Sequence, residues 1–132
     1  MAYADIESRF FRLAQAISRT VPDRVKIGAV LTKNRKILSV GFNRMDKTHT
    51  AMDRLGCKKR LHAELSAVIG VRWSDVQGAV LFLYRTMRNG KLGMSRPCCH
   101  CQIILRNAGI RRVYYTDPSH PNSVDFMDIR GR

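Results

Sequence analysis

The stretch SRPCCHCQ, residues Ser95–Gln102, sets three cysteines and a histidine in four consecutive positions. Three chemistries fit such a cluster: a disulfide, a closed structural metal site, or an open metal site that does chemistry. Cys98 and Cys101 stand at i and i+3, so on a helix both sulfurs project from one side. Pro97 suits a helix entrance, where a missing N–H costs nothing. The unpaired N–H groups and positive dipole end there favour thiolate, which readies the sulfur for a metal. Two thiolates do not complete a zinc site. The stretch LHAEL, Leu61–Leu65, offers a third ligand in His62.

A closed structural site wants four protein ligands, commonly as two paired knuckles. This chain has one CxxC and no second. Cys57 and His49 lie in an irregular basic segment at unsuitable spacing. His62, Cys98 and Cys101 leave a fourth position for water, the pattern of catalytic zinc. Zinc (Zn2+) lowers the pKa of such a water to about 7. Glu64, two residues from His62, then gains a role as the carboxylate that takes the water's proton and passes it to a leaving nitrogen. Alone, a Glu near a helix start more often stabilises the dipole, and a lone His is more often satisfied locally. It is the combination of H-x-E with P-C-x-x-C that favours chemistry.

The 132 residues suit a single domain over 1–132 with one core. Hydrophobic residues at 45% and charged residues at 26% place the chain among globular proteins rather than disordered ones. No apolar run approaches the roughly 18 residues of a membrane span. The start MAYADIESRF lacks the basic and apolar regions of a secretory signal. A cytoplasmic location follows as the expectation, the host cytoplasm if the chain is phage-encoded. Reduced cysteines go with it, which makes a disulfide the weakest of the three answers. The net charge is +14 and unevenly spread. Residues 21–60 hold eleven Lys or Arg against three acids, and residues 91–112 hold five against none. Such blocks attract phosphate, on a mononucleotide or a polynucleotide.

Along the chain, Ile6, Phe10, Leu13 and Ile17 recur at helical spacing, so Asp5 to Arg19 reads as an amphipathic helix. VKIGAVLT (25–32) reads as a buried strand, KNRK as a turn and ILSVGFN (37–43) as the returning strand. Residues 44–61 are polar and without period. HAELSAVIGV (62–71) reads as a helix with Leu65, Val68 and Ile69 on one face. AVLFLYRT (79–86) is a third strand, MRNGKLGMSR a turn-rich connection, and CCHCQIILRNAG a helix stopped by Gly109. RRVYYTD is a fourth strand, and VDFMDI in the tail carries a weak signal for a last one. Trp73 is expected to pack at a helix end, and Phe42, Tyr84 and Tyr115 to belong to the core or a pocket wall. This order implies an α/β sandwich around a mixed sheet.

With these residues in view, the chain resembles a known family. H-x-E followed by P-C-x-x-C is the signature of zinc nucleobase deaminases. HAEL at 62–65 and PCCHC at 97–101 match it, and the resemblance runs from about Val25 to Asp117. It is closest in look to the cytidine and deoxycytidylate deaminases, including phage-encoded relatives. It implies a three-layer sandwich with a mixed sheet of four to five strands. It also implies zinc on His62, Cys98 and Cys101, proton transfer by Glu64, a sugar contact from Asn43 and a pyrimidine-carbonyl contact from the Ala63 N–H. A homo-oligomer is expected on the same ground. GIRRVYYTD (109–117) resembles the deoxycytidylate and tRNA-adenosine branches, which continue with a helix and a parallel fifth strand. Only fifteen residues follow Asp117, too few for a full copy.

The reading that follows is a zinc-dependent hydrolase converting cytosine to uracil in a pyrimidine nucleotide, dCMP to dUMP before others. Basic residues of 44–61, Lys59 and Arg60 among them, are candidates to hold the phosphate. An alternative keeps the chemistry and acts on cytosine, less readily adenine, in single-stranded DNA or RNA. The charge favours it, while the lack of an aromatic platform in the basic loop opposes it. A third reading, a basic nucleic-acid-binding module with structural zinc, predicts a fourth protein ligand and no use for Glu64.

Overall fold

In a computed structural model the protein is described over residues 2–22, 25–43 and 63–129, with side chains from residue 9 onward. The expected loop at 44–61, with Cys57, His49, Lys59 and Arg60, lies outside the described residues, as does His62. The elements in chain order are α1 (Ala2–Thr20), β1 (Lys26–Lys33), β2 (Lys36–Phe42), α2 (Ala63–Val68), α3 (Trp73–Val76), β3 (Val80–Thr86), β4 (Leu92–Gly93), α4 (Cys99–Ala108), β5 (Arg112–Thr116) and β6 (Val124–Asp128). No described helix is long and apolar enough to cross a membrane.

The strands form one mixed sheet in the order β2-β1-β3-β5-β6, with β4 paired to β3. Among the described residues only the β3–β5 pairing is parallel. A parallel pair needs a crossover, and α4 supplies it. The β1–β2 hairpin closes on Asn34 and Arg35, both at positive φ (53° and 65°), the geometry of a type I′ turn.

Alternation along the three central strands divides the interior into two cores, one on each face. Val30, Phe82 and Tyr114 stand in register across β1, β3 and β5 and face α1. There Phe82 stacks on Tyr114 at 5.0 Å, and Phe10 and Phe11 of α1 close on Phe82 at 5.1 and 5.3 Å. Each fully buried aromatic or aliphatic side chain of this kind contributes about 1.5–3 kcal/mol. Ala29, Leu83 and Tyr115, with Leu31, Leu81 and Val113, face the other way against Ala63, Ala67, Val68, Leu105 and Ala108. The result is helix, sheet, helix: the three-layer sandwich expected from the sequence.

Several particulars differ from expectation. The buried stripe of α1 includes Phe11, Ala14 and Ser18, while Leu13 and Ile17 are half-buried at its margin. The second helix is shorter than expected, and Ile69 is exposed, because the helix ends at Val68 before Gly70 (φ 94°). Trp73 does not pack at a helix end; it is 60% exposed, and Phe42 is exposed as well. The turn-rich connection after β3 contains β4, too short for any sequence period. The short last strand that VDFMDI suggested is present, by contrast, as β6, which finishes the sheet edge antiparallel to β5. Residues 117–123 are too few for a crossover of a dozen or more. They turn tightly instead, with the Ser119 N–H and hydroxyl both donating to the Asp117 carboxylate (2.9 and 2.7 Å). Those two bonds hold the carboxyl below the usual carboxylate range.

Two glycines set how closely the helices lie on the sheet. A Cβ on Gly28 would collide with the α1 backbone at the Ala14 carbonyl and lie 2.8 Å from the Ser18 nitrogen. A Cβ on Gly41 would collide with the Ala67 nitrogen of α2 and lie 2.8 Å from the Ser66 carbonyl carbon. Backbone cannot yield as a flexible side chain does, so Gly41→Ala should cost about 1–3 kcal/mol in urea unfolding. A midpoint unchanged within error would show that α2 does not depend on this approach.

Candidate active site

The turn into α4 builds one side of the site. Cys98 is the N-cap, with extended backbone (φ −69°, ψ 166°), and its sulfur accepts the Cys101 N–H at 3.5 Å. An N-cap acceptor satisfies a backbone donor that the first helical turn leaves unpaired, and the same donor favours a thiolate there. Pro97 therefore sits one residue outside the cap, and its carbonyl accepts the Gln102 side chain at 2.8 Å. Cys101 is buried on the helix, whereas Cys99 is exposed. At the far end Gly109 takes the left-handed conformation (φ 88°) and stops the helix as expected.

The segment before the cysteines is held by buried hydroxyls. Ser95 Oγ donates to the Leu83 carbonyl at 3.1 Å and accepts the Thr116 N–H at 2.7 Å. Thr116 Oγ1 donates to the Gly93 carbonyl at 2.6 Å and lies 2.8 Å from Ser95 Oγ. The Ser95 N–H returns to the Thr116 carbonyl at 3.0 Å. These bonds tie the approach to Cys98 to both β3 and β5.

Facing this turn is the start of α2. Ala63 is fully buried, and Glu64 is 5% exposed. Val25, Ile27, Asn43, Ala63, Glu64, Arg85, Met94, Ser95, Arg96 and Cys98 line one cavity of about 200 Å³. Asn43 also ties the hairpin together: its Oδ1 accepts the Ile27 N–H at 2.9 Å, and its Nδ2 donates to the Val25 carbonyl at 2.7 Å. An amide has two donors and a two-lone-pair acceptor, so one donor and one lone pair remain for a ligand. Four sequence candidates, Asn43, Ala63, Glu64 and Cys98, thus share one cleft, with Cys101 hydrogen-bonded just behind it. Among the described residues no three His, Cys, Asp or Glu side chains gather at one point; His62, Lys59 and Arg60 are outside the description. The donor set still fits a soft metal, with a thiol in cap position and a buried carboxylate lining the same cavity.

Comparison with known proteins bears on the family. Residues 5–117 match the model of the cytidine and deoxycytidylate deaminase zinc-binding region. The chain belongs to this family. As a cytidine and deoxycytidylate deaminase family member it is an enzyme of a zinc-binding class. It is 30% identical over 112 residues to an uncharacterized deaminase of the luxG 3′ region of Aliivibrio fischeri, covering 80% of this chain and 69% of that one. It is 26% identical over 140 residues to a deoxycytidylate deaminase of Mycobacterium phage D29, covering 90% and 100%. Among solved structures, a dCMP deaminase of cyanophage S-TIM5 in complex with dCMP and dUMP superposes with TM-score 0.58 at 25% identity, covering 83% and 79%. A cytidine deaminase of Burkholderia pseudomallei gives TM-score 0.62 at 19% identity, covering 92% and 91%; at that identity the likeness is one of fold.

Three cleft residues of this deaminase were not singled out from sequence: Arg85, Ser95 and Thr116, the last behind the wall. Neither a serine in an irregular connection nor a threonine at a strand end carries a distinguishing pattern, and Arg85 is one polar residue near the end of an apolar strand. Ser95→Ala should destabilise the protein by about 1–3 kcal/mol, because it leaves buried partners unpaired. Chemical denaturation of Ser95→Ala and Thr116→Val would measure this, and a cost under 0.5 kcal/mol would show that the network is not needed.

Proposed function

We propose that this enzyme hydrolytically deaminates dCMP, giving dUMP and ammonia. The observation that carries the reading is the shared cleft, in which the buried carboxylate of Glu64 and the cap thiol of Cys98 line one wall system. His62, Cys98 and Cys101 are the residues that would hold zinc. Bound there, zinc would supply a water acidified to about pKa 7.

The chain's own groups do the rest. Glu64 takes a proton from the attacking water, delivers it to the ring nitrogen N3, and carries the second proton to the departing amine. Water thus adds its oxygen at C4, the C4–N bond breaks and ammonia leaves. The spare hydrogen-bonding capacity of Asn43 goes to the sugar, and the Ala63 N–H to the pyrimidine carbonyl. Lys59 and Arg60 would sit toward the phosphate. Burial of Glu64 matters because a water-poor cleft strengthens each of these polar contacts. The same reading takes residues 1–132 as one deaminase domain and expects it to form homo-oligomers, with light scattering as the check. It also expects work in the cytoplasm, where soluble nucleotides are.

Two measurements test the proposal. Zinc-loaded enzyme should convert dCMP in preference to deoxycytidine, with affinity only weakly dependent on salt because few phosphates are touched. The +14 charge favours the alternative substrate, a cytosine-containing single strand. Turnover of oligonucleotides but not of dCMP, with log affinity falling steeply against log salt, would establish that reading instead. Glu64→Gln keeps the shape and removes the proton carrier. It should retain metal and fold while losing on the order of 10² to 10⁴ in rate; a folded, metallated variant of near-full activity would remove Glu64 from the chemistry.

A further inference from the structure

Two charged side chains of the cleft, Arg85 and Arg96, have no part in the chemistry above. Arg85 is the penultimate residue of β3, paired with Ile27 of β1 on one side and Gly93 of β4 on the other. Its place on the strand, two beyond Leu83 and four beyond Leu81, turns it to the α2 and α4 face, where those leucines are buried. It lines the cleft with Glu64, Asn43 and Cys98. Its Nε is buried and meets no hydrogen-bond partner among the described residues.

A buried donor left unpaired is costly, and native structures rarely carry one without a reason. Arg85 as a whole is half-buried and lines the cleft, so a turn of its guanidinium toward a ligand there would pair this donor. The charges of the described lining indicate which kind. Two are cationic, Arg85 and the exposed Arg96, and one is the Glu64 carboxylate. A guanidinium presents a planar fork that matches phosphate oxygens two at a time.

We propose that Arg85 selects for a nucleotide over a nucleoside by donating to the 5′-phosphate of the substrate, with Arg96 as the outer cation. This rests on the dCMP reading above and places phosphate recognition at the end of β3, in addition to or instead of the basic segment holding Lys59 and Arg60. The β3–β4 hairpin packs beside the Arg85 stem: a Cβ on Gly93 would collide with the Met87 side chain and sit 3.2 Å from Arg85 Cδ.

The test uses the zinc-loaded full chain as wild type, Arg85→Met, Arg85→Lys and Lys59→Gln/Arg60→Gln. Each is assayed on dCMP and deoxycytidine, and each is titrated calorimetrically with dUMP and deoxyuridine. Arg85→Met should lower kcat/KM for dCMP about tenfold to a hundredfold, mostly through KM, as for loss of a charged hydrogen bond. Deoxycytidine turnover and deoxyuridine binding should not change. Arg85→Lys, which keeps the charge, should retain part of the dCMP preference. Equal losses on dCMP and deoxycytidine would overturn the inference, since Arg85 would then serve the base or the fold. So would an undiminished dCMP preference in Arg85→Met alongside its loss in the Lys59/Arg60 variant. A wild type indifferent to the phosphate would refute the dCMP reading itself, and that result is visible before any variant is made.

Discussion

The hydroxyls of Ser95 and Thr116 lie 2.8 Å apart in the interior, where β3, β5 and the approach to the cysteines meet. Their two hydrogens have the Leu83 carbonyl, the Gly93 carbonyl and the neighbouring hydroxyl oxygen as acceptors within reach, and the Thr116 and Arg85 N–H groups donate to the two oxygens. Cys98 follows Ser95 by three residues, so this knot fixes the direction from which the chain enters α4 and the cap that the thiol forms. Buried polar networks are useful only when fully satisfied, and here each hydroxyl is. Phosphate selection by Arg85, capping by Cys98 and the orientation of Cys101 all depend on that junction.

The opposite wall depends on a constraint of another kind. Gly41 lets α2 lie with its backbone against β2, and the Phe42 N–H donates to Ser66 Oγ at 3.3 Å. Glu64, two residues earlier on the same helix, is thereby held inside the cavity rather than at its rim. One wall is fixed by polar satisfaction, the other by van der Waals approach, and the cleft is the space between them.

The fold and the outline of the site were legible because their signals repeat. AVLFLYRT and RRVYYTD read as strands, and the structure buries both of their faces, with Phe82 and Tyr114 toward α1 and Leu83 and Tyr115 toward α2 and α4. H-x-E and P-C-x-x-C carry a fixed spacing because each opens a helix after a strand. What was not legible lacked period. β4 is two residues long, the α1 stripe is shifted by Phe11 and Ala14, and Ile69 falls just beyond the helix that its spacing suggested. Trp73 shows the limit of residue type as evidence, since a large apolar side chain stands mostly exposed. The antiparallel β6 follows from chain length: seven residues permit a turn and forbid a crossover. Arg85 and Thr116 became meaningful only when the sheet brought β3 and β5 to one junction.

Zinc held between these walls by His62, Cys98 and Cys101, with one position left for water, is the arrangement we propose. X-ray absorption at the zinc edge of the metal-loaded chain tests it most directly. The expected result is two sulfur ligands, one imidazole nitrogen and one light atom from water, with Cys98→Ser losing one sulfur and His62→Ala losing the imidazole signature. Four protein ligands, a third sulfur, or zinc bound without Cys98 and Cys101 would contradict it.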